Sequence, residues 1–173
     1  MLSNYNDHSE LQRSIFPHVE EVVKSAKKCF LDMKIKNPLR IAEFACSTGG
    51  NSKIYIDLIK KSLNVEEQEP IEVIFSDLIE NPWHAFEIDA SYMSYEFAKG
   101  SMFNIELTKK YDVGFSNWGL QWTTLEKKDK ANMNDAIWVQ DCENDALKHK
   151  VAQSAANDFS DFLELRHAEM NEK

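Results

Sequence analysis

The sequence predicts an α/β fold built around a mainly parallel sheet, and three consecutive segments carry this prediction. Leu39–Phe44 is short and nearly uniformly apolar, as buried parallel strands are. After a turn of small residues, apolar residues recur at helical spacing through Ser52–Leu63. Residues 71–75 then form a second apolar run with β-branched side chains. Strand, helix and strand in this order make a βαβ unit, in which we expect a right-handed crossover and parallel strands.

The rest of the chain extends this unit on both sides. Residues 9–33 have the apolar spacing of an amphipathic helix, which we expect to start at or just before Pro17, with residues 9–16 as a separate turn or short helix. Residues 81–95 are predicted to form a second helix with a partly apolar face. Residues 100–103 form a small-residue turn, and residues 111–116 are a third strand candidate. Residues 134–170 are predicted to be largely helical. One side of that helix is expected to carry Phe159, Phe162, Leu163 and Leu165.

Composition limits the classes of protein that the chain can represent. With 173 residues, 43% of them hydrophobic, we expect a single domain over residues 1–173. A net charge of -9 argues against a partner such as duplex nucleic acid, which usually requires a basic face. The sequence lacks a long uncharged apolar run, so no membrane span is predicted. The polar first ten residues also lack the order of a signal peptide.

Cysteine usage points to a reducing compartment, so we expect a cytoplasmic protein. The three cysteines, Cys29, Cys46 and Cys142, are widely spaced and odd in number, unlike a disulfide framework. Neither a CxxC nor an HExxH motif is present, and no metal site is predicted.

The small-residue turn "EFACSTGG" has two interpretations. It would let a ligand approach the backbone at the carboxyl end of the sheet, where open α/β folds bind cofactors. Its two adjacent glycines, Gly49 and Gly50, fit a tight strand-to-helix connection equally well. The turn lacks both GxGxxG and GK[ST], so the usual phosphate-binding loops are not indicated.

Two acidic residues indicate what the ligand would be. Glu43 stands near the end of the first strand, and Asp77 follows the second. An acid in the position of Asp77 can accept hydrogen bonds from ribose hydroxyls, although an acid at a strand end is also a common turn cap. An acid in the position of Glu43 suits a cationic ligand better than a phosphate. S-adenosylmethionine satisfies both conditions, because it carries an ammonium, a sulfonium and a ribose but no phosphate.

Six motifs, in the same order, give the chain a family resemblance. It resembles the SABATH methyltransferases, which methylate salicylate, benzoate, jasmonate and xanthine alkaloids. The family's "SYAxNSxxQ" is similar to "NYNDHSELQ", which aligns Tyr5, Ser9 and Gln12. Its "DLGCSSGPNT" is similar to "EFACSTGGNS", which aligns Cys46, Ser47, Gly49 and Asn51.

The other four motifs follow in the family's order. "NDLPxND" is similar to "SDLIENP", which aligns Asp77 and Leu78. "GSFY" is similar to "GSMF", which aligns Ser101 and Met102. "SYSLHWLS" is similar to "NWGLQWTT", which aligns Gln121 and Trp122. The late "DFxxFLxxRAxEL" helix is similar to "DFSDFLELRHAEM".

The resemblance implies a Rossmann-like S-adenosylmethionine-dependent methyltransferase fold with three αβα layers. It implies methyl transfer to the carboxylate oxygen of a small acid, with S-adenosylmethionine as the cofactor. The cofactor residues that it implies are Tyr5, Ser9, Glu43, Cys46, Gly49, Asn51, Asp77, Leu78, Ser101 and Met102. The substrate residues that it implies are Gln12, Gln121 and Trp122.

Simpler roles compete with several of these assignments. Gln12 would ordinarily be a solvated helix residue, and Trp122, like Trp118, would ordinarily be a core aromatic residue. Cys46 is expected to be a small buried residue of the turn rather than a nucleophile, because no base is evident beside it.

The chain departs from the family pattern at one substrate residue. Gln121 replaces the family's histidine. A carboxylic acid with a pKa of about 4 is already ionised at neutral pH, so its oxygen needs positioning rather than deprotonation. We therefore expect a carboxylate substrate to tolerate Gln121 better than a xanthine nitrogen would.

The chain also has about half the family's length, which leaves a second function open. We expect the first strands and the cofactor turn without the later strands and most of the helical cap. An open sheet of about four strands would expose an edge that proteins usually cover, which would favour pairing of two copies as a homodimer. The alternative to an enzyme is a catalytically silent, truncated module that binds the cofactor or a partner chain.

Overall fold

A parallel four-stranded sheet forms the centre of the protein. The computed structural model describes residues 18, 20–25, 38–66, 69–89, 91–117, 119–120, 123–124 and 143–171. In these residues the strands follow the order β3-β2-β1-β4, and every neighbouring pair is parallel. The strands are β1 (Leu39–Phe44), β2 (Ile71–Asp77), β3 (Met93–Lys99) and β4 (Val113–Ser116). The helices with defined bounds are α1 (Ser52–Leu63), α2 (Asp145–Glu169) and a 3₁₀ turn, Trp83–Ala85.

The two main helices contribute to cores on opposite faces of the sheet. Along β1, Ile41 belongs to the core that contains Ile56 of α1. Phe44 belongs to the other core and meets Phe162 of α2 edge to face, with ring centroids 5.5 Å apart. Because alternate residues of a strand point to opposite faces, these contacts build the three αβα layers that were predicted.

Helix α1 forms where one side of the segment can be buried. Tyr55, Ile56 and Ile59 lie at helical spacing and are buried. The helix ends at Asn64, whose left-handed backbone (φ 56°) lets its N–H bond back to the last turn. Lys60 and Lys61 lie in that turn, where positive charge suits the helix dipole. Because α1 begins at Ser52, a short loop after β1 ends at Phe44, its amino end lies at the carboxyl edge of the sheet.

Several predicted elements are confirmed. The strand Leu39–Phe44 and the helix Ser52–Leu63 have the predicted bounds, and the sheet has the expected four strands among the described residues. Strand β2 continues two residues beyond its prediction, to Asp77. Of predicted residues 111–116, Val113–Ser116 forms the strand, while Tyr111 makes an isolated bridge to Met170.

The predicted helix over residues 81–95 is wrong. The segment contains one 3₁₀ turn, Trp83–Ala85, and β3 begins at Met93. Its aromatic residues belong to a cluster instead of a helix face. The Trp83 ring lies 4.7 Å from that of Phe97, and the Phe86 ring lies 4.8 Å from that of Phe75.

The predicted apolar side of α2 is wrong for two residues. Phe159 and Leu163 are 48% and 51% exposed, whereas Phe162 is buried. The buried residues of α2 are Leu147, Asp158, Phe162, Arg166 and Glu169. Its predicted start, residues 134–142, lies outside the described residues. Of the helix predicted to start near Pro17, residues 18 and 20–25 are described, and they are helical.

Replacing Ile56 with alanine should destabilise the fold strongly. The side chain is fully buried between α1 and the sheet, so Ile56→Ala should lower the free energy of unfolding by about 2–5 kcal/mol. Ile54→Ala, on the exposed side of the same helix, is the matched control and should cost less than about 1 kcal/mol. Urea unfolding of both variants measures this difference. Equal losses would contradict the described packing of α1.

Candidate cofactor and active site

The loop that follows β1, residues 45–50 (the β1 loop), has an unusual backbone. Ala45, Ser47 and Gly49 have positive φ angles of 63°, 53° and 82°. Left-handed backbone costs a non-glycine residue roughly 1–2 kcal/mol, so Ala45 and Ser47 need compensating contacts. A Cβ atom on Gly49 would lie 2.9 Å from the Phe86 ring and 3.0 Å from the Glu87 carbonyl oxygen. Glycine is therefore favoured at position 49 for two reasons: the backbone is left-handed, and there is no space for a side chain.

The end of β2 supplies the contacts that hold the β1 loop. The Ser76 carbonyl oxygen accepts from Ala45 N (2.8 Å) and Cys46 N (3.2 Å). Asp77 Oδ2 accepts from Ser47 N at 2.7 Å. Asn81 Nδ2 donates to the Ser47 carbonyl oxygen at 2.7 Å. The N–H group and the carbonyl group of Ser47 are therefore both hydrogen-bonded, the first to Asp77 at the end of β2 and the second to Asn81 beyond it.

Asp77 is the centre of these contacts. It is buried, and its second oxygen, Oδ1, accepts from Leu78 N at 2.7 Å. Burial raises the pKa of Asp77, and the N–H groups of Ser47 and Leu78 partly offset that rise. A carboxylate offers about four lone-pair sites, so two backbone donors leave acceptor capacity for a ligand. The structure thus supplies the turn-capping role, and the ribose role stays a prediction.

Glu43 lies on the face of β1 that meets α1. It is 4% exposed, and its Oε2 atom has no hydrogen-bond partner. Burial raises the pKa of Glu43 from 4.5 to about 8, and the charge of Asp77 raises it further, while the Ser52 hydroxyl acts in the opposite direction. That hydroxyl lies near the carboxyl without forming a well-directed hydrogen bond. Among the described residues, neither Glu43 nor Asp77 forms an ion pair.

The segments that follow three different strands converge beside this pair of acids. Gly100 N donates to the Asp77 carbonyl oxygen at 2.8 Å, which brings the turn after β3 to the end of β2. A Cβ atom on Gly119 would lie 2.5 Å from Ala45 Cβ and 3.2 Å from Met102 Cε. The chain after β4 therefore passes close to the β1 loop and to Met102.

The predicted cofactor residues that the structure describes lie along this edge. Gly49 and Asn51 join the β1 loop to α1, and Ser101 and Met102 follow the end of β3. Leu78 is 49% exposed beside Asp77. Cys46 is buried in the loop, and burial raises the pKa of its thiol well above its ordinary value, which does not suit a nucleophile. The other predicted site residues, Tyr5, Ser9, Gln12, Gln121 and Trp122, lie outside the described residues.

Sequence reasoning missed two residues that shape the site. Asn81 is buried and bonds to Ser47, as described above. Thr48 is buried, and its carbonyl oxygen accepts from Glu87 N at 3.0 Å. Asn81 could have been found, because it lies in the quoted motif "SDLIENP" and aligns with an asparagine of the family pattern.

The chain has an open α/β sheet, and such sheets bind ligands outside the carboxyl ends of their strands, where the β1 loop lies. The sequence profile of the SAM-dependent carboxyl methyltransferases, the SABATH group, matches residues 2–173. The chain belongs to this family.

One solved structure that resembles the chain is described as loganic acid methyltransferase with SAH. The two share 20% sequence identity with a TM-score of 0.72, over 97% of this chain and 53% of that one. The chain thus has the methyltransferase fold and spans about half the length of that neighbour. No curated protein matches the sequence significantly.

Two absences hold for the part of the chain that the structure describes. None of its helices has the length and apolar character required to cross a membrane. Its histidine, cysteine and acidic side chains also form no cluster of three suited to a metal ion.

Gly49→Ala should destabilise the β1 loop, because alanine there combines a left-handed backbone with a contact to the Phe86 ring. We expect a loss of at least about 1–2 kcal/mol in unfolding free energy from the backbone alone. Gly50→Ala is the control, since Gly50 is exposed and has no positive φ. Denaturant unfolding measures both variants, and a Gly49→Ala protein as stable as the control would refute the described loop.

Glu43→Gln should change how stability depends on pH. The folded carboxyl keeps its proton up to a pH of about 8, while in the unfolded chain it ionises near 4.5. The folded state then binds more protons across this window, so wild-type stability should fall relative to Glu43→Gln as pH rises through it. Unfolding curves at several pH values test this prediction. Parallel pH profiles for the two proteins would contradict it.

Proposed function

We propose that the chain is the cofactor-binding part of an S-adenosylmethionine-dependent methyltransferase that methylates the carboxylate oxygen of a small acid. The observation that carries the proposal is the buried carboxyl of Glu43, whose Oε2 atom has no hydrogen-bond partner, beside Asp77 and next to a strained loop. Burying an acid without a partner is costly, and a cationic ligand would offset this cost. Family membership supports the same ligand.

The described residues fit the parts of this cofactor. Glu43 would attract its positive groups, and the remaining lone pairs of Asp77 would accept from the ribose hydroxyls. The exposed side chain of Leu78 would provide apolar contact at the rim of the site. When bound, S-adenosylmethionine supplies a methyl group on a sulfonium, which an acceptor can take by in-line displacement. Tyr5, Ser9, Cys46, Gly49, Asn51, Ser101 and Met102 complete the proposed cofactor set.

The chain's role toward the substrate would be to position an oxygen that is already ionised. Gln12 and Gln121 carry side-chain amides, and Trp122 carries an indole N–H, so all three can donate to a carboxylate. Holding the acid in line with the methyl group would supply most of the rate gain. The name of the structural neighbour describes an enzyme that acts on loganic acid, and this supports a small organic acid as the substrate class.

We also propose a cell compartment and an oligomeric state for the protein. The widely spaced cysteines favour a reducing compartment such as the cytoplasm. In the described sheet, β3 and β4 each pair on one side, so pairing of two copies would cover an edge. A homodimer and a single domain over the whole chain are therefore part of the proposal.

Cofactor binding should release protons from Glu43. A cation placed beside this carboxyl lowers its pKa from about 8, so S-adenosylmethionine binding near pH 7 should expel up to about one proton per site. Calorimetric titration in two buffers with different ionisation enthalpies measures this release. Glu43→Gln should abolish it, whereas Glu164→Gln, an exposed acid on α2, should leave it unchanged. If the wild-type protein binds S-adenosylmethionine without releasing a proton, Glu43 is not part of the cofactor site.

Transfer of a labelled methyl group tests the reaction itself. The chain is incubated with labelled S-adenosylmethionine and a panel of small carboxylic acids that includes loganic acid, and label in the ester fraction is counted. Methyl esters would establish the enzyme. Cofactor binding with no product from any acid would favour the catalytically silent module instead.

A further inference from the structure

Helix α2 turns charged side chains toward the interior. Asp158, Arg166 and Glu169 are 5%, 6% and 8% exposed and share one side of the helix with Phe162. Buried ion pairs contribute little net stability, and apolar residues of similar volume often stabilise a protein more. The inward charges of α2 therefore call for an explanation other than stability.

Arg166 connects α2 to the turn after β3, residues 100–107 (the β3 turn). Its Nη1 donates to the Met102 carbonyl oxygen at 3.0 Å, and its Nη2 donates to the Ile105 carbonyl oxygen at 2.9 Å. The guanidinium also stacks on the ring of Phe44, the last residue of β1, at 4.2 Å from the ring centroid. One side chain thus holds two carbonyl groups of the β3 turn against the sheet.

Glu169 completes the connection from the next turn of α2. Its Oε1 accepts from Arg166 Nη2 at 3.1 Å and from Leu107 N at 2.6 Å. Its Oε2 lies 2.7 Å from Arg166 Nε as an ion pair, at an angle that does not make a good hydrogen bond. Arg166 and Glu169 together therefore hydrogen-bond to the β3 turn at two carbonyl groups and one N–H group.

We propose that Arg166, with Glu169, is a positioning residue that fixes the β3 turn for cofactor binding. This inference rests on the proposed function, in which Ser101 and Met102 contact the cofactor. At its start the turn is held by the bond from Gly100 N to the Asp77 carbonyl oxygen (2.8 Å), and at Met102 and Ile105 it is held by Arg166. Ser101 lies between these two anchors, and their loss would free it to move relative to Asp77.

The geometry requires arginine rather than any cation. A planar guanidinium can reach two carbonyl oxygens and a carboxylate together, whereas a lysine ammonium offers a compact charge on a flexible stem. Arg166→Lys keeps the positive charge but removes the planar group that donates to several acceptors. Its effect therefore shows whether the geometry of the guanidinium matters beyond its charge. Arg40→Lys is the matched control, because Arg40 also donates to a carboxylate and to a backbone carbonyl oxygen, those of Glu72 and Lys110, yet it lies at the opposite end of the sheet.

The test measures S-adenosylhomocysteine affinity by calorimetry and backbone amide exchange of the β3 turn by mass spectrometry. Arg166→Lys should weaken affinity about tenfold and speed exchange across residues 101–107. Arg40→Lys should lower the melting temperature and leave both measurements unchanged. Glu169→Gln, which keeps the side-chain volume, should give a smaller change in the same direction and replaces Arg166→Lys if that variant does not fold.

Three other results would contradict the positioning role of Arg166, each in a different way. Unchanged exchange in the β3 turn of Arg166→Lys would show that Arg166 does not order it. Faster exchange with unchanged affinity would show that the order is irrelevant to the cofactor. If the wild-type protein itself binds no S-adenosylhomocysteine, the proposed function fails, and the positioning role for a cofactor fails with it. Wild-type titration therefore distinguishes the two failures.

Discussion

The bond between the Asp77 carboxylate and Ser47 N is the constraint on which the site depends. It joins the ends of β1 and β2 across the sheet and holds a loop with three left-handed residues. Such a loop would relax without its bonds, because left-handed backbone is costly for alanine and serine. Asp77 also fixes the position of the β3 turn at this edge, because its carbonyl oxygen accepts a hydrogen bond from Gly100 N. The acid that we propose to bind the ribose thus also organises the β1 loop.

The electrostatics of the same edge favour a positively charged ligand. Glu43 and Asp77 are both buried, each has a raised pKa, and burial is the leading cause for each. In the described part of the chain no cation pairs with either acid. A protein that only needed stability would replace Glu43 with an apolar residue, since an unpaired buried carboxyl lowers stability once it must ionise. Retaining it is consistent with a ligand that brings its own positive charge.

Sequence alone predicted the elements whose burial pattern is simple. Leu39–Phe44 and Ser52–Leu63 have one consistent period each, and their observed bounds agree with the prediction. The prediction over residues 81–95 failed because its aromatic residues pack around Phe75 of β2, a long-range contact that local spacing does not reveal. For the site, the acids and the small-residue loop were visible in the motifs. The left-handed backbone and the bond from Asn81 to Ser47 depend on tertiary contacts between two strand ends, so periodicity could not supply them.

The polar inner face of α2 links the two sides of the proposed site. Asp158 accepts from both Thr124 N and Thr124 Oγ1 at 2.6 Å, two residues beyond the predicted substrate residue Trp122. Arg166, eight residues along the same helix, binds the β3 turn. Eight residues of α-helix span about 12 Å, so one rigid element sets the spacing between the segment after β4 and the turn after β3. Displacement at a reacting centre is expensive for catalysis, which gives buried charges on this helix a reason to persist where apolar residues would pack more stably.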